Sequence, residues 1–374
     1  MRICLLSYRG NMFCGGQGIY IYNLSKALAA LRHEVHLLSG PPLPRKAEAV
    51  RMHVVENLNL YSKRTTELAA YPLSTLLSPL NFMEYAVAKV GSLPEMLTFS
   101  IRAFQALKTL HKRHGFHVIH DNQSLGYGLL LMKRLGIPLV ATIHHPLPID
   151  REEHLRQAVG LREKFKRVIY YPAIMQHIVA RRVDRVIAVS HSSAEEIIRA
   201  FQVSREKLRV VYDGIDTVKF SPPESAKPEQ DERLIFVGNT DDRKKGFVYL
   251  LKAMRMMGDS VRLTVVNGAD NNPLTARELA HRFGLSHRID FLSGISDERL
   301  VEEYRRASVA VVPSTYEGFG FPAAEAMSCG IPVVATEAGA LPEVVGRDGA
   351  AILVAPKQPR AIAEAVQSIL NDEA

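Results

Sequence analysis

Apolar residues follow two spacings along the chain, and the first 40 residues show both. A short apolar run at residues 3–7 leads into a glycine-containing loop, and a second run at 35–39 closes the unit. Between them, apolar residues recur at the spacing of one helix face: Ile21, Leu24, Leu28 and Leu31. This order predicts a strand, a helix and a parallel strand, which together form a βαβ unit.

The second half of the chain repeats this scheme. A predicted strand at 234–237 leads to a loop that ends at Gly246, and a strand at 261–266 closes the unit. The helix between them presents one apolar face, formed by Phe247, Leu250, Leu251 and Met254. In each half, the first loop precedes a helix N-terminus, where backbone N–H groups and the helix dipole favour phosphate.

Further short apolar runs alternate with helical stretches in both halves. They cover residues 118–120, 139–143, 185–189, 208–212, 289–292, 309–313, 331–335 and 351–354. Apolar strands that alternate with helices predict parallel sheets covered on both faces. The predicted fold class is therefore α/β, with two Rossmann-like domains facing each other across a cleft and a ligand at the carboxyl ends of the strands. The predicted boundaries are 1–218, a proline-containing linker at 219–232, and 233–374.

Charge is unevenly distributed between the halves. Residues 1–214 carry 29 Lys and Arg against 16 Asp and Glu, or +13, whereas residues 215–374 carry 18 against 23, or −5. The N-terminal half should therefore attract something anionic, such as phospholipid headgroups or a phosphorylated ligand. No nucleic-acid-binding motif accompanies this charge, so nucleic acid is not an expected partner.

The sequence also predicts where in the cell the protein is located. The longest apolar stretch, at 73–97, is interrupted by prolines and charged residues, so it is not expected to span a membrane. The three cysteines have no metal-ligand spacing, and the first residues run directly into a predicted strand, so we expect a cytoplasmic protein without a signal peptide. Two apolar or basic stretches, 68–107 and 162–185, leave open a peripheral position at the inner face of an anionic membrane. The alternative is that both form ordinary helices over the core.

The densest chemical signal is residues 314–332, which follow the predicted strand 309–313. Pro322 suits the first turn of a helix and Gly330 suits its C-terminal cap. Gly318 and Gly320 allow close backbone approach, so their N–H groups could receive a phosphate oxygen. Glu325 lies one turn inside, where its carboxylate could accept both hydrogens of a ribose diol. Two glutamates at this spacing are usually solvated, but the surrounding strand–turn–helix pattern favours a site.

Residues 317–325, followed by Gly330-Ile-Pro-Val-Val-Ala-Thr and Gly339-Ala-Leu-Pro-Glu, resemble the signature of the family 4 retaining glycosyltransferases of the GT-B fold. The resemblance covers nearly the whole chain and includes Gly15-Gly16, Thr142-Ile-His, Val189-Ser190, Asp213-Gly-Ile-Asp and Lys245-Gly246. It implies transfer of a sugar from a nucleotide-diphosphate sugar to a hydroxyl, with retention of the anomeric configuration. The acceptor would be a glycan, a lipid or a small molecule on the N-terminal domain, with a lipid-linked or cell-envelope glycan as one candidate. The C-terminal domain would hold the donor.

The resemblance also assigns roles to individual residues. In the C-terminal domain, Glu317 would meet the donor sugar and Glu325 the ribose. The diphosphate would be bound by a basic pair and by the backbone of Gly318, Phe319, Gly320 and Phe321. In the N-terminal domain, Gly15 and Gly16 would line the diphosphate and acceptor site, and His144 would hydrogen-bond hydroxyls of the donor sugar or the acceptor.

Three positions depart from the family pattern. The arginine that usually follows Gly238 is replaced by Asn239, and we expect Arg243 to substitute for it. Lys245 is the best diphosphate candidate, because an ammonium there would neutralise the leaving group. Asp213 stands where the family often has Asn, and His145 where it often has an acidic residue.

The sequence predicts no metal site and no cofactor, with the nucleotide sugar acting as a substrate. It has no Asp-x-Asp motif, and no His, Asp or Glu cluster has metal-ligand spacing. Two alternatives stay open: a GT-B-type sugar-nucleotide epimerase and a non-catalytic sugar-nucleotide-binding protein. The chain ends at Ala374 after one helical pattern, whereas relatives usually continue, so the last helices are expected to be absent.

Overall fold

The structure, a computed structural model, describes residues 1–12, 16–60, 73–89, 92–149, 155, 160, 173–223, 232–267 and 273–371. The chain divides into two compact units. The first consists of Met1–Val189 and Ser193–Val211, and the second of Ser190–Ser192 and Tyr212–Ala374. The predicted linker at 219–232 lies largely outside the described residues, and its role stays a prediction.

The first unit contains a seven-stranded parallel sheet in the order β3-β2-β1-β4-β5-β6-β7. Its strands are β1 Arg2–Ser7, β2 Glu34–Ser39, β3 Val50–Val54, β4 Val118–Asn122, β5 Leu139–Ile143, β6 Arg185–Ala188 and β7 Leu208–Val210. The accompanying helices are Gln17–Ala30, Leu73–Leu76, Pro79–Lys89, Glu95–His114, Gly128–Met132, Ala173–Ala180 and His191–Phe201.

The apolar strands of this sheet are covered on both faces. Along β1, Cys4 and Leu6 join one buried cluster, whereas Ile3 and Leu5 join another. This separation follows from the two-residue side-chain period of a strand. The prediction of parallel sheets buried on both faces is therefore confirmed.

Strand β4 runs two residues beyond its predicted end and β7 ends two residues before it. Two further differences in the first unit have a clear physical reason. The first helix ends at Ala30, so Leu31 occupies its C-cap and is 69% exposed instead of belonging to the buried face. Strand β3 was not predicted from the sequence, because it is a short edge strand that carries Arg51 and His53 among its apolar residues. Edge strands commonly carry charged side chains, which weakens their apolar pattern.

The second unit contains a six-stranded parallel sheet in the order β10-β9-β8-β11-β12-β13. Its strands are β8 Arg233–Val237, β9 Arg262–Asn267, β10 Ile289–Ser293, β11 Val309–Val312, β12 Val333–Thr336 and β13 Ala351–Val354. Its helices are Phe247–Met254, Pro273–Arg282, Asp297–Arg306, Phe321–Ser328, Leu341–Val345 and Pro359–Leu370. The four residues predicted for the apolar face of the helix Phe247–Met254 are all buried.

Both sheets have the strand order of a Rossmann-type fold. In each sheet the strands are added first on one side of the first strand and then on its other side. In the second unit the point where the side changes lies between β8 and β11, which are hydrogen-bonded neighbours. Ligands of open α/β sheets bind at the carboxyl ends of the strands at such a point. The loops after β8 and β11 are therefore the ones on which a site is expected. Among the described residues, no helix has both the length and the apolar character needed to cross a membrane.

Candidate functional site

The loop after β8 brings a lysine to the end of β11. Residues Arg243–Lys245 form a short 3-10 helix, in which the Asp242 side chain accepts a hydrogen bond from the Lys244 backbone N–H at 2.9 Å. Gly246 follows with φ +70°, and a Cβ there would lie 1.9 Å from the carbonyl oxygen of Pro313. Only glycine allows this backbone to pack so closely against the residue after β11. The contact places Lys245 beside the loop that follows β11.

Lys245 and Glu317 form an ion pair at this edge of the sheet. The Lys245 Nζ donates to both carboxylate oxygens of Glu317, at 2.8 and 3.0 Å. The Ser314 Oγ donates to Glu317 Oε2 at 3.1 Å, which fixes the carboxylate from a second side. Since an ammonium has three N–H donors, Lys245 can bind a further anionic oxygen alongside Glu317.

The other two cationic side chains of this loop, Lys244 and Arg243, have different surroundings. The Lys244 Nζ lies 5.8 Å from the centroid of the Tyr316 ring, a cation–π distance. Arg243 is exposed. Gly238 begins the loop, and its N–H donates to the carbonyl of Val266 at 3.0 Å. The structure thus brings Lys245, rather than Arg243, into contact with the predicted sugar-binding glutamate.

The Gly339-Ala-Leu-Pro motif holds the Glu317 loop in place. Gly339 has φ +57°, and a Cβ there would lie 2.1 Å from the carbonyl oxygen of Glu317. The next N–H, that of Ala340, donates to this carbonyl at 2.9 Å. The Thr336 hydroxyl donates to the carbonyl of Ser314. The motif therefore acts through the backbone on the position of the glutamate.

A helix N-terminus completes this part of the site. The helix Phe321–Ser328 begins directly after Gly320, and Pro322 is its second residue. Its first N–H groups have no partner within the helix, which suits an anionic oxygen. Phe319 is buried and meets Phe321 edge-on, with 5.2 Å between ring centroids. This packing fixes the Gly318–Gly320 segment beside the helix start.

Glu325 lies within that helix and is almost fully buried. Its Oε2 accepts a hydrogen bond from the Tyr304 hydroxyl at 2.9 Å. Burial raises the pKa of Glu325 from 4.5 to about 7, although the Tyr304 hydrogen bond opposes this rise. A carboxylate has about four lone-pair positions, so the hydroxyls of a diol can bind beside Tyr304. Tyr304 was not predicted, because it lies on a different helix, Asp297–Arg306, without a local motif.

In the first unit, the predicted glycine pair is only partly described. Gly15 lies outside the described residues, whereas Gly16 has φ +70° and is the N-cap of the helix Gln17–Ala30. The carbonyl of Gly16 accepts the first helical hydrogen bond, from the N–H of Tyr20, at 2.8 Å. Gly16 thus lies at a helix N-terminus after β1, and its role in binding stays a prediction.

His144 follows β5 and is held in one orientation. Its Nε2 lies 2.8 Å from Asn122 Oδ1, and its ring meets Tyr20 edge-on at 4.6 Å between centroids. The amide of Asn122 donates through Nδ2 to the carbonyl of Gln17 at 3.3 Å, so its Oδ1 must accept. His144 therefore carries its proton on Nε2 and presents Nδ1 as an acceptor. Burial lowers the pKa of His144 to about 3, which keeps the ring neutral at physiological pH.

Gln123 clamps the loop that carries His144. Its Oε1 accepts from the backbone N–H of His144 at 2.7 Å and of His145 at 3.2 Å. Its Nε2 donates to the carbonyl of His145 at 2.6 Å. Asn122 and Gln123 were missed from the sequence. The signal that could have found them is a polar pair directly at the carboxyl end of a predicted strand.

Asp213 offers a physical reason for one departure from the family pattern. Burial raises its pKa to about 7, and Oδ1 is buried with no hydrogen-bond partner among the described residues. Near neutral pH, a large fraction of this side chain is therefore the neutral acid. A neutral carboxylic acid both donates and accepts a hydrogen bond, as the amide of asparagine does.

The chain matches known protein families over nearly its whole length. Residues 14–219 match the family model "Glycosyltransferase Family 4", and residues 218–374 match "Glycosyl transferases group 1". The chain is 42% identical over 361 residues to the MMP alpha-(1->4)-mannosyltransferase of Mycolicibacterium hassiacum, which covers 95% of this chain and 86% of the relative. It is 29% identical over 389 residues to the D-inositol 3-phosphate glycosyltransferase of Xylanimonas cellulosilytica, covering 98% of this chain and 86% of that protein.

A solved structure shows the same architecture. Sucrose-phosphate synthase from Thermosynechococcus elongatus matches with a TM-score of 0.75 and 24% identity, over 100% of this chain and 90% of that one. At this identity, the likeness concerns the fold. It agrees with the two parallel-sheet units described above.

Proposed function

Because the chain belongs to glycosyltransferase family 4, whose members transfer sugars, we propose that its donor is a nucleoside-diphosphate mannose and its product an α-mannoside. The 42% identical relative supports this donor sugar, since its name specifies α-(1→4) mannosyl transfer. The observation that carries the proposal is the Lys245–Glu317–Ser314 group beside a helix N-terminus. It combines a cation and backbone N–H groups for a diphosphate with a carboxylate for sugar hydroxyls.

In this proposal the second unit binds the donor. Lys245 and the N–H groups that begin the helix Phe321–Ser328 hold the diphosphate, and Glu317 orients the sugar. Glu325 accepts the ribose hydroxyls. As the sugar–phosphate bond breaks, negative charge grows on the diphosphate, and preorganised donors stabilise that charge in the transition state.

Retention of configuration is the second part of the proposal. An inverting displacement needs a base that takes the proton of the acceptor hydroxyl, and the low pKa of His144 makes this residue a poor proton acceptor. We infer instead that the departing diphosphate takes the proton. The bond between C1 and the phosphate oxygen breaks, the acceptor oxygen bonds to C1 on the same face, and the hydroxyl proton passes to a phosphate oxygen. His144 then accepts a hydrogen bond from a sugar hydroxyl through Nδ1.

The proposed acceptor is a carbohydrate hydroxyl on a lipid-linked or cell-envelope glycan. The mannosyltransferase relative supports a carbohydrate, and the +13 charge of residues 1–214 supports an anionic carrier or a nearby anionic membrane. Exposed apolar side chains at Leu77, Phe82 and Ile174 also favour contact with lipid.

The test is a donor screen followed by product analysis. GDP-mannose, UDP-glucose and ADP-glucose are each incubated with short α-mannosides, and GDP-mannose is expected to give the transfer product. The one-bond C1–H1 coupling, measured by NMR, assigns the new linkage, because the H1–H2 coupling is small in both mannose anomers. An inverted product would refute retention and make His144 the general base. Transfer from another sugar nucleotide would refute the mannosyl donor. Released sugar isomers without transfer would indicate an epimerase.

A further inference from the structure

A cluster of imidazoles lies at the start of β2, outside the site described above. Glu34 and His36 project from β2, and His114 is the last residue of the helix Glu95–His114. His36 is fully buried, whereas the side chains of Glu34 and His114 are 36% and 20% exposed. The cluster is therefore a buried imidazole with two partly accessible partners. The candidate glycosyl-transfer residues of this unit lie at the opposite, carboxyl ends of the strands.

The three side chains converge on one point. His36 Nε2 lies 3.2 Å from Glu34 Oε1, and His114 Nδ1 lies 3.8 Å from the same oxygen. All three ligand atoms lie within 4.8 Å of one another. Tetrahedral ligands at 2.0–2.2 Å from Zn²⁺ are roughly 3.3–3.6 Å apart, so a small rotation of the partly exposed His114 would complete the geometry.

We propose that Glu34, His36 and His114 bind a divalent transition-metal ion such as Zn²⁺, with a water as the fourth ligand. Two imidazoles and one carboxylate form a ligand set that Zn²⁺ accepts. The ion joins the first residues of strand β2 to the C-terminus of the helix Glu95–His114. Its role is to stabilise the first unit, separately from sugar transfer.

A third histidine, His53, hydrogen-bonds His36 on the side away from the proposed ion. The Nε2 of His53 on β3 lies 2.9 Å from His36 Nδ1. When His36 binds the ion through Nε2, its Nδ1–H donates to His53. A partner of this kind fixes the tautomer and orientation of a metal-binding imidazole. The Phe116 ring, 5.0 Å from the His36 ring between centroids, covers the cluster with an apolar surface.

Arg51 competes with the ion for the same carboxylate. Its guanidinium NH1 lies 2.7 Å from Glu34 Oε1, and its side chain is 60% exposed. The ion can therefore displace it into solvent at little cost, since exposed ion pairs contribute little to stability. This competition predicts that removal of the arginine raises the affinity for the metal ion. Binding of the ion at some other place on the surface would not respond to this substitution.

The experiment uses the full chain without an affinity tag, stripped with a chelator that is then removed by dialysis. Zn²⁺ is titrated calorimetrically, and Co²⁺ is used as a spectroscopic probe, because its d–d absorption distinguishes four from six ligands. We expect one equivalent of Zn²⁺ to bind, with a rise in Tm. Glu34→Gln and His114→Ala should each lower the affinity at least tenfold, and His53→Ala by roughly 10–100-fold. Arg51→Gln should raise it.

The control is His281→Ala, which removes an exposed histidine of the second unit. It should leave Zn²⁺ binding unchanged. Circular dichroism of each metal-free variant establishes that it folds, and the substituted Glu34 and His114 are partly exposed, which favours folding. Absence of stoichiometric binding to the wild-type chain would overturn the proposal. Binding that persists unchanged in both ligand variants would do the same.

Discussion

Replacing Glu325 with glutamine is expected to stabilise the protein and to weaken donor binding. The carboxyl group is buried against Tyr304, and its pKa rises from 4.5 to about 7 on folding. Glutamine has nearly the same shape and keeps an oxygen that accepts the Tyr304 hydroxyl. It removes the charge that burial disfavours.

The magnitude follows from the rise in pKa. Each pH unit between the unfolded and folded pKa values corresponds to about 1.4 kcal/mol, so the ionised carboxyl costs roughly 3 kcal/mol above pH 7. Because the folded pKa is the higher one, the native state binds the extra proton between pH 4.5 and 7. The stability contributed by the neutral acid is thus present below pH 4.5 and is lost as the pH rises through 7. Glu325→Gln should therefore stabilise little at pH 5 and by roughly 3 kcal/mol at pH 8.

The assay is urea unfolding followed by circular dichroism, since the chain has no tryptophan. Wild type and variant are compared at pH 5 and pH 8, and titrations shared by the two proteins cancel in the difference. Glu278→Gln, the same change at an exposed position, is the control in the same assay. A stabilisation by Glu325→Gln that is equal at the two pH values would refute the reasoning.

Donor binding separates the functional role of Glu325 from a structural one. If its carboxylate accepts the ribose hydroxyls, Glu325→Gln should weaken binding of the free nucleoside diphosphate by about 1.5–3 kcal/mol, or roughly 10–150-fold. Wild-type affinity should also fall as the pH drops below 7, because protonation removes the negative charge and turns one of the two accepting oxygens into a donor. Unchanged nucleotide affinity in the variant would exclude the ribose assignment while leaving the stability prediction intact.

Other substitutions test the remaining parts of the site. Lys245→Ala should lower kcat by a larger factor than it raises the KM for donor, because the charge of the leaving group grows in the transition state. Arg243→Ala, at an exposed position, should have the smaller effect. Equal activity of the two variants would mean that the diphosphate binds elsewhere. Gly246→Ala should lower the Tm and the kcat together, since its Cβ would lie 1.9 Å from the Pro313 carbonyl; a Tm equal to that of wild type would contradict the packing argument. Asp213→Asn should stabilise the protein above pH 7 more than at pH 5, as urea unfolding can measure, because burial raises the pKa of this carboxyl to about 7. Binding to anionic liposomes should appear at low salt and weaken at high salt, and its absence at low salt would favour a soluble acceptor.

Local pattern predicted the strands of both sheets except β3. Strands β1, β2, β5 and β13 begin and end within one residue of their predicted bounds. The helix Phe247–Met254 buries all four residues of its predicted apolar face. Periodicity succeeds here because both faces of a parallel sheet are buried, so the strands are continuously apolar. It fails for β3 and for Leu31, which lie at a sheet edge and a helix end, where exposure to solvent relaxes the pattern.

The sequence also placed the candidate site residues of each unit at one edge of its sheet, because the loops that carry them follow predicted strands and the carboxyl ends of parallel strands share one edge. Only the tertiary structure decided which side chains meet. Lys245 rather than Arg243 contacts Glu317, 72 residues away in the chain, because Gly246 packs against Pro313. Tyr304 meets Glu325 and Asn122 orients His144, across 21 and 22 residues. Glu34 and His36 meet His114 only because a helix of 20 residues ends beside β2. Sequence spacing records local periodicity, whereas contacts between distant elements, and the pKa values that depend on burial, arise only when the elements pack.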